Sequence, residues 1–575
     1  MGVAFVTGLQ GDDPKYIKVV ATPKHFAVHS GPESTRHTVD VQASRHDMED
    51  TYLPAFRATV TEGKAESVMC AYNSLNGQPA CANSALLEEH LRKDWGFQGY
   101  VVSDCGAAAD IFGPNYHHYA PDAAHGVAAA FSTGMDVICG DYRNNMSTEP
   151  EGILAAVHQG LLPEADLDRA LRRLFTARFK LGMFDPQSSV SYSKITPADN
   201  DTEEHRQLAL KMAQESIVLL KNKDNFLPLK KTPKTIVVIG PNADNLDALV
   251  GNYNGTPTQP ATVLAGIRKR FAQSKVIYVK GADLVAPIAK GIDEAVKAAK
   301  SADLVVVVEG LSPRIEGEEM KVDAEGFSGG DRTSLDLPAP QEQLLEKIYA
   351  THKPVVLVLM NGSAISANWA DEHIPAILDA WYAGEEGGNA VASVIAGDYN
   401  PAGRLPVTFY KSTSQLPAFD DYSMSKRTYR YFDGEPLYPF GYGLSFTKFD
   451  YSEPSANVSS TGDVTVSVTV ANTGEATGDE VVQLYLTHTG VAGAAIRALK
   501  GFQRVHLDKG QKQQVSFTLH ERDLSIVDEA GKHRIVPGKV DVWIGGGQPI
   551  GRSALPKTAG VQTQFTIANE ATLPD

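Results

Sequence analysis

Residues 99–106 read GYVVSDCG, a short apolar run that ends on an acidic residue. Three similar runs lie around it: IKVVATPKHF at 17–26, SVMCAYN at 67–73 and MDVICG at 135–140. Segments with a helical pattern, such as SRHDMEDTYLPAFRATVTEG and ANSALLEEHLRKDWG, separate them. Apolar runs that alternate with helices are typical of parallel strands covered on both faces. The sequence therefore predicts an α/β domain over residues 1–190.

Three of the four predicted strands end in side chains that can bind or react. They are Lys24 and His25, Tyr72 and Asn73, and Ser103 and Asp104. Functional residues of α/β barrels lie at the carboxyl ends of the strands, so three such ends in succession favour a site over chance turn residues. Asp104 is the sharpest candidate, because a carboxylate there can be a nucleophile, a base, a metal ligand or a helix N-cap.

The number of strands is too small for a closed barrel. A (β/α)8 barrel has eight strands and about 250 residues, but residues 1–190 contain about four apolar runs. Half a barrel exposes two unpaired sheet edges. Either this chain lacks the N-terminal part of a TIM-type barrel, or the domain is an open sheet. The first interpretation is favoured, which makes 1–190 the C-terminal part of a catalytic barrel.

A second α/β unit is predicted over residues 205–412. Its apolar runs are TIVVIG (235–240), KVIYV (275–279), DLVVVVEG (303–310), PVVLVLMNG (354–362) and IPAILDAWYAG (374–384). Their alternation with helices predicts a mostly parallel sheet, covered on both sides, that forms an α/β sandwich. No G-x-G-x-x-G turn and no Walker lysine follows any of these runs, so a nucleotide site is not expected.

A long acidic loop, residues 309–338, follows the third of these runs. It is rich in glycine and contains Glu316, Glu318, Glu319 and Glu325. Acidic loops are often only solvated, but a long loop at the carboxyl end of a strand is where α/β proteins place functional residues. Two carboxylates that reach one cleft from different domains suit glycoside hydrolysis, in which one attacks or activates water and the other protonates the leaving oxygen.

The rest of the chain divides into two parts. Residues 413–447 are irregular and rich in aromatic side chains, which favours a linker packed between domains over a flexible one. Residues 448–570 alternate apolar and polar side chains, as in the segment 464–470, where every second residue is valine. This pattern predicts a β-sandwich, and no candidate catalytic residues cluster in it.

Composition excludes several classes of protein. The chain has 575 residues, 42% of them hydrophobic and 21% charged, which is ordinary for a globular protein. A formal net charge of −16 makes nucleic acid or an anionic membrane a poor partner. No run of 18 apolar residues predicts a membrane span, and the N-terminal residues lack the features of a signal peptide.

Four cysteines are too few for a scaffold built on disulfides. Cys70 and Cys81 could close a short loop, whereas Cys105 and Cys139 are interpreted as buried thiols of two strands. No CxxC or CxH spacing suggests a metal, and no cofactor is expected.

Several long motifs, in order along the chain, resemble glycoside hydrolase family 3. They are ATPKHFAVHSGPESTRH, SVMCAYNSLNGQPACAN, LRKDWGFQGYVVSDCGA, GDRTSLDLPAPQ, AWYAGEEGGNAVASVIAGDYNPAGRLPVTF and YPFGYGLSFT. The resemblance implies a (β/α)8 barrel, an α/β sandwich domain and a fibronectin type III-like domain. It implies that Asp104 is the nucleophile, which attacks the anomeric carbon and forms a covalent glycosyl-enzyme.

The resemblance also implies contacts with the sugar. Lys24 and His25 match a pair that holds hydroxyl groups, and Tyr72 matches a tyrosine close to the nucleophile. Arg36 matches a further sugar contact, with Arg45 as the competing assignment. These side chains carry the N–H and O–H donors that a ring of sugar hydroxyls requires. An upstream aspartate and arginine of the family, which also bind the terminal sugar, have no counterpart.

The acid/base of the family lies on a loop of the second domain. IEGEEM followed by GGDR resembles its pattern with an insertion, which aligns Glu318 with the catalytic glutamate and leaves Glu316 and Glu319 as alternatives. To stay protonated near neutrality Glu318 needs a raised pKa, which partial burial could provide. A retaining mechanism places the two carboxyl groups about 5–5.5 Å apart.

The implied activity is that of a retaining exo-β-glycosidase acting on oligosaccharides or aryl glycosides. Cys105 and the LSPRIEGEEM loop resemble the xylosidase-like branch, which weakly favours terminal β-D-xylose over β-D-glucose. Polymer-degrading relatives are commonly periplasmic or secreted, so that location is expected. The alternatives are a catalytically silent carbohydrate-binding homologue with an incomplete barrel and, less favoured, a glycoside phosphorylase.

Overall fold

The computed structural model describes residues 1–140, 149–549, 552 and 555–574. Two regular parallel strands form the centre of the first domain, Ser67–Cys70 and Tyr100–Ser103. Cys70 lies opposite Ser103, so both strands end at the same level. The predicted strands 67–73 and 99–106 therefore continue three residues too far, since the polar residues after these ends belong to loops.

The other two predicted strands, 17–26 and 135–140, flank this pair without becoming regular strands. Single parallel bridges join them to it: Phe26 to Cys70, and Val137 to Val102. Pro23 has no N–H to donate, which limits the ladder that the run 17–26 can form. All four runs nonetheless lie side by side and point the same way.

The described part of the first domain is barrel-like and open. Its four-segment layer packs through fully buried side chains, one from each run: Phe26, Val68, Val101 and Met135. The helices around it are Gly2–Gln10, Arg45–Asp47, Pro54–Thr61, Ala107–Asp110, Ala123–Ser132, Glu149–His158 and Glu164–Lys180, with π-helical turns at Met48–Tyr52 and Ala85–Asp94. Short strands pair at Asp40–Val41, Ser74–Leu75 and Gln78–Pro79.

The second domain is an α/β sandwich around a six-stranded sheet. In spatial order its strands are Val218–Asn222, Ala376–Asp379, Val355–Met360, Leu304–Gly310, Thr235–Ile239 and Lys275–Val279. The five predicted strands are all present and parallel, as expected. The sequence analysis missed the antiparallel edge strand Val218–Asn222, whose short apolar run follows directly on a helix.

Helices cover both faces of this sheet. They are Glu203–Ser216, Val263–Arg270, Gly291–Ala299, Ala339–Tyr349, Asn368–His373 and Gly387–Ala396. Two separate apolar cores lie on its two sides, as a doubly covered sheet requires. The acidic loop, which contains a small hairpin of Phe327–Ser328 and Asp331–Arg332, leaves the sheet at the carboxyl end of the strand Leu304–Gly310.

The third domain is a fibronectin type III-like β-sandwich. One sheet contains Phe449–Val458, Val464–Asn472 and Lys512–Leu519, and the other contains Ala498–Leu507, Gly478–His488, Gly538–Gly545 and Gly560–Ile567. Short strands Ile526–Val527, His533–Ile535 and Ala571–Thr572 and the helix Glu521–Leu524 complete it. The valines predicted at every second position of 464–470 are buried between the sheets.

The segment 413–447 packs against the first and second domains. Arg430, on the short helix Thr428–Tyr431, donates two hydrogen bonds to Asp50 of the first domain, at 2.6 and 2.8 Å. The Tyr438 hydroxyl donates to Asp371 of the second domain at 2.6 Å. These contacts are the packing that its aromatic composition predicts.

Both pairs of cysteines form disulfides, Cys70–Cys81 and Cys105–Cys139. The interpretation of Cys105 and Cys139 as thiols was wrong. The runs that precede them are neighbours in the parallel layer, so residues just beyond their ends come within bonding distance. The Cys105–Cys139 bond therefore holds the residue after Asp104 to the adjacent segment.

Candidate active site

Asp104 lies just beyond the strand Tyr100–Ser103, at the carboxyl edge of the parallel layer. Its side chain is only 11% exposed. The backbone N–H of Cys105 donates to its Oδ1 at 2.8 Å, and the Nε2 of His25 lies 3.0 Å from its Oδ2. Burial alone would raise the pKa of Asp104, but His25, the Cys105 N–H and Tyr72 hold it below its usual value. The carboxylate is therefore ionised, which is the form that a nucleophilic role would require.

Tyr72 lies between the segment that carries Asp104 and Arg36. Its hydroxyl donates to the carbonyl oxygen of Cys105 at 3.1 Å, and the Arg36 guanidinium lies 4.8 Å from the centre of its ring. Burial and the nearby Asp104 carboxylate raise the pKa of Tyr72. The phenol therefore stays protonated and can donate a hydrogen bond to substrate.

Arg36 is the point where the first and second domains meet in this cluster. Its side chain is 5% exposed, and it donates at 2.9 Å both to Glu33 and to the Oε1 of Glu318. Burial would lower the pKa of Arg36, but these two carboxylates raise it, so the guanidinium is always charged. The competing Arg45 is exposed and lies beside Gly531 of the third domain, away from this cluster.

Glu318 is held by donors from both domains. Besides the bond from Arg36, its Oε2 accepts a hydrogen bond from the Tyr253 hydroxyl. Lys24 in turn lies 3.3 Å from the Tyr253 oxygen and 4.4 Å from the centre of its ring. The Lys24–His25 peptide bond is cis.

The expected rise of the Glu318 pKa was wrong for this structure. Burial does act to raise it, but the hydrogen bonds from Tyr253 and Arg36 and the charge of Lys24 outweigh burial and lower it. The side chain is also 31% exposed, so its desolvation is modest. Partial burial cannot keep a carboxyl group protonated when two donors favour its ionised form.

The two alternative glutamates have different surroundings. Glu316 accepts hydrogen bonds at 2.6 Å from the Gly362 N–H and from the Ser363 hydroxyl, and another from Tyr382. All three partners belong to the second domain, so Glu316 anchors its loop to that domain. Glu319 instead has its Oε1 3.3 Å from the Nε2 of His37.

Tyr253, His37 and Asp110 belong to the cluster but were missed in the sequence analysis. The Nδ1 of His37 lies 2.7 Å from the Oδ2 of Asp110, and the centres of the His37 and Tyr72 rings lie 4.4 Å apart. Tyr253 belongs to the polar loop after the strand Thr235–Ile239, and that position at a strand's carboxyl end was the available signal. His37 and Asp110 carried no such signal, because neither directly follows a predicted strand.

The cluster thus contains a buried ionised carboxylate, a second carboxylate from another domain, and N–H and O–H donors between them. All six sequence-predicted residues lie in it: Asp104, Glu318, Lys24, His25, Arg36 and Tyr72. Among the described residues, no group of three or more histidine, cysteine, aspartate or glutamate side chains could hold a metal ion. Such an arrangement can attack an acetal carbon from one side and exchange a proton on the other.

Comparison with known families finds a match in each of the three domains. Residues 1–177 match the glycosyl hydrolase family 3 N terminal domain, 217–446 its C-terminal domain, and 480–548 a fibronectin type III-like domain. The chain therefore belongs to glycoside hydrolase family 3 and is a glycoside hydrolase, as the sequence motifs indicated.

Individual relatives are similar over most of the chain. A xylan 1,4-beta-xylosidase of Xylanibacter ruminicola is 35% identical, over 95% of this chain and 79% of its own length. A periplasmic beta-glucosidase of Salmonella typhimurium is 37% identical, over 95% of this chain and 74% of its own. Nothing in these similarities favours a catalytically silent homologue.

Solved structures agree with this assignment. A β-glucosidase from Erythrobacter marinus superimposes with a TM-score of 0.86 at 33% identity, covering 98% of this chain and 76% of its own. A family 3 exo-beta-xylosidase in complex with a xylobiose aziridine probe superimposes with a TM-score of 0.86 at 29% identity. The match covers 100% of this chain and 75% of that chain. In the described part of this chain, no helix combines the length and apolarity needed to cross a bilayer.

Proposed function

We propose that this protein is a retaining exo-β-glycosidase that releases terminal non-reducing β-D-xylose or β-D-glucose from oligosaccharides and aryl glycosides. One observation carries the proposal. The ionised Asp104 of the first domain and Glu318 of the second domain belong to one cluster. Arg36 donates to Glu318 and lies over the ring of Tyr72, whose hydroxyl donates to the carbonyl oxygen of Cys105, next to Asp104. Two carboxylates in one cluster provide a nucleophile and a proton donor.

In the first step Asp104 attacks the anomeric carbon and forms a glycosyl ester, while Glu318 protonates the departing glycosidic oxygen. In the second step Glu318 takes a proton from water, which attacks the same carbon and frees Asp104. Glu318 must gain a proton before the first step. Because Arg36 and Tyr253 favour its ionised form, substrate binding has to weaken at least one of those hydrogen bonds.

The remaining predicted residues hold the terminal sugar. Lys24, His25, Arg36 and Tyr72 supply N–H and O–H donors around the nucleophile, and each can bind a ring hydroxyl. They lie around two carboxylates, with His25 beside Asp104 and Arg36 bonded to Glu318, and this enclosure supports exo action, in which a single terminal residue fills the site.

Xylose is weakly favoured as that residue. The xylosidase-like sequence around Cys105 supports it, and curated relatives include both β-xylosidases and a β-glucosidase. We further propose a periplasmic or secreted location, supported by the periplasmic relative. The proposed domains are 1–190, 205–412 and 448–570, with 413–447 as the packed linker. Positions 141–148, 550, 551, 553, 554 and 575 lie outside the described residues.

The decisive experiment combines turnover with trapping of the intermediate. The chain is assayed on aryl β-D-xyloside and aryl β-D-glucoside, and then incubated with the matching 2-deoxy-2-fluoro glycoside, whose slow second step lets the glycosyl-enzyme accumulate. Peptide mass spectrometry should place the added sugar on Asp104, and the ratio of rates should rank the two sugars. A label on another carboxylate, or no turnover by folded protein, would refute the assignment.

A further inference from the structure

A cavity of about 380 Å³ lies where the first domain, the packed linker and the third domain meet, apart from the cluster around Asp104. Its walls include the helix Pro54–Thr61, the helix Thr428–Tyr431 and the strand Ala498–Leu507. This volume is within the usual range for small-molecule sites, about 300–1,000 Å³. It is also far larger than the share of a single water molecule, about 30 Å³.

Charged side chains line this interdomain cavity with an excess of positive charge. Among the described residues four are basic and three acidic: Arg57, Arg430, Lys500 and Arg522, with Glu49, Asp50 and Glu62. The protein as a whole carries a formal charge of −16, so a locally basic cavity runs against its overall charge.

Most of these charges have partners. Asp50 is bound by two nitrogens of Arg430, and Glu49 lies 3.4 Å from a ring nitrogen of His90. Arg522 donates to the carbonyl oxygen of Pro574 at 3.1 Å. Glu62 is exposed to solvent. The acidic groups of the cavity are thus either paired already or at the surface.

Arg57, on the helix Pro54–Thr61, and Lys500, on the strand Ala498–Leu507, line the cavity, and no ion pair of either is found among the residues that the structure describes. The Nε of Arg57 is buried without a hydrogen-bond partner. Lys500 is half-buried, and burial together with the charges of Arg430 and Arg522 lowers its pKa by more than the carboxylates of Asp523 and Asp50 raise it. Cations removed from water are costly unless counter-charge offsets them, and the nearby carboxylates do not fully offset Lys500, so the cavity can stabilise a further anion.

Neutral groups that line the same cavity suit a polyhydroxylated ligand. The Nε2 of His488 is buried without a partner, and burial and Lys500 lower the pKa of this histidine to about 4, so it is a neutral donor or acceptor. Trp95 and Tyr429 add aromatic surface to the walls. Sugar rings pack their apolar faces on such surfaces while polar groups bind their hydroxyls.

We propose that the interdomain cavity is a second carbohydrate site, which binds an acidic monosaccharide, with the carboxylate between Arg57 and Lys500 and hydroxyls near His488. The site is independent of the glycosidase chemistry at Asp104. Because its walls come from three parts of the chain, an occupant also ties the third domain to the first.

The test is isothermal titration calorimetry of the full chain with D-glucuronate, D-glucose and inorganic phosphate as separate probes. D-glucuronate should bind to the wild-type chain. Lys500→Gln and Arg57→Gln should each weaken this binding at least about tenfold, the effect of losing one charge-assisted hydrogen bond of about 1.5 kcal/mol or more. Lys500→Arg, which keeps the charge, should retain it. Lys512→Gln on the exposed face of the same domain is the matched control.

Three results would overturn the proposal. They are the absence of D-glucuronate binding, an unchanged affinity in Lys500→Gln and Arg57→Gln, and binding of phosphate without D-glucuronate, which would mark a simple anion site. Hydrolysis of aryl glycosides by the two glutamine variants should stay at the wild-type rate. That assay also verifies that the variants are folded, so a failure here is distinguishable from a failure at Asp104.

Discussion

Arg36 of the first domain donates a hydrogen bond of 2.9 Å to Glu318 of the second domain. The same guanidinium lies over the ring of Tyr72, whose hydroxyl reaches the residue after Asp104. One buried arginine therefore fixes the relation between the two candidate catalytic carboxylates. Together with the hydrogen bond from Tyr253, this permanent positive charge holds the pKa of Glu318 below its usual value.

Replacing this arginine should separate the two halves of the site. Arg36→Gln removes charged hydrogen bonds that each contribute about 1.5–3 kcal/mol, so kcat/KM should fall by about 10- to 100-fold. Steady-state kinetics on an aryl β-glycoside measures this loss. Arg45→Gln, at an exposed position beside the third domain, should leave kcat/KM unchanged. Equal losses in the two variants would contradict the role of Arg36.

Removal of Asp104, the proposed nucleophile, should abolish nearly all turnover. Asp104→Asn keeps the size of the side chain but removes its negative charge, so kcat should fall roughly 10⁴- to 10⁶-fold, the scale seen when an enzyme loses its nucleophile. Stopped assays with long incubation quantify the residual rate. Asp12→Asn is the matched control, since Asp12 is exposed on the same domain. A residual rate within tenfold of wild type would exclude Asp104 as the nucleophile.

The three glutamates of the acidic loop should differ in chemical rescue. Glu318→Gln should lower kcat by about 10²- to 10⁴-fold on substrates with poor leaving groups, and azide should restore turnover of activated aryl glycosides as the glycosyl azide. Glu316→Gln loosens the loop at Gly362 and Ser363, so its losses should not respond to azide. Product analysis by chromatography detects the azide adduct. Azide rescue in Glu316→Gln or Glu319→Gln alone would reassign the acid/base.

The pH dependence should respond to Tyr253. Its hydroxyl donates to Glu318 and stabilises the carboxylate, so Tyr253→Phe should raise the pKa of Glu318. A general acid works only when protonated, and therefore the high-pH limb of the kcat/KM profile should move to higher pH. Tyr349→Phe, on a helix of the same domain, serves as the control. A limb that stays in place or moves to lower pH would show that the bond does not set this pKa.

The hydrogen bond from Tyr253 to Glu318 also predicts how the stability of the folded chain changes with pH. The pKa of Glu318 is lower in the folded chain than in the unfolded chain, so its contribution is complete above the unfolded value of about 4.3. This contribution to stability disappears as the pH falls through the pKa that Glu318 has in the folded chain. Tyr253→Phe should therefore reduce the loss of thermal stability that acid causes below pH 4.3.

The bond Cys105–Cys139 should affect both stability and activity. It closes a segment of 34 residues, which corresponds to about 4 kcal/mol in the chain-entropy treatment. Cys105→Ser with Cys139→Ser should therefore lower the Tm of the chain and, by loosening the segment after Asp104, also lower kcat. The Cys70–Cys81 bond closes a segment of only 11 residues. Cys70→Ser with Cys81→Ser should therefore lower the Tm less. The reverse order of the two Tm changes would contradict this expectation.

Local sequence patterns predicted much of the architecture. Alternating apolar runs predicted the parallel layer, the five parallel strands of the second domain and the sandwich of the third, because each pattern depends on which face of a single element is buried. The ends of the strands were predicted less accurately than their positions. The edge strand Val218–Asn222 was missed, because a segment of five residues shows little periodicity. The same local patterns placed Asp104 at the carboxyl end of a strand.

Other features depend on contacts between distant parts of the chain. The Cys105–Cys139 bond, Tyr253 beside Glu318 and His37 beside Asp110 each join segments that no local pattern relates. The protonation of Glu318 belongs to this group, because burial and two donors act in opposite directions and only geometry decides which prevails. The sequence by itself determined the folds and most members of the site, through local periodicity and family motifs. The tertiary structure alone decided their electrostatics, because charge interactions depend on distances that the order of residues does not contain.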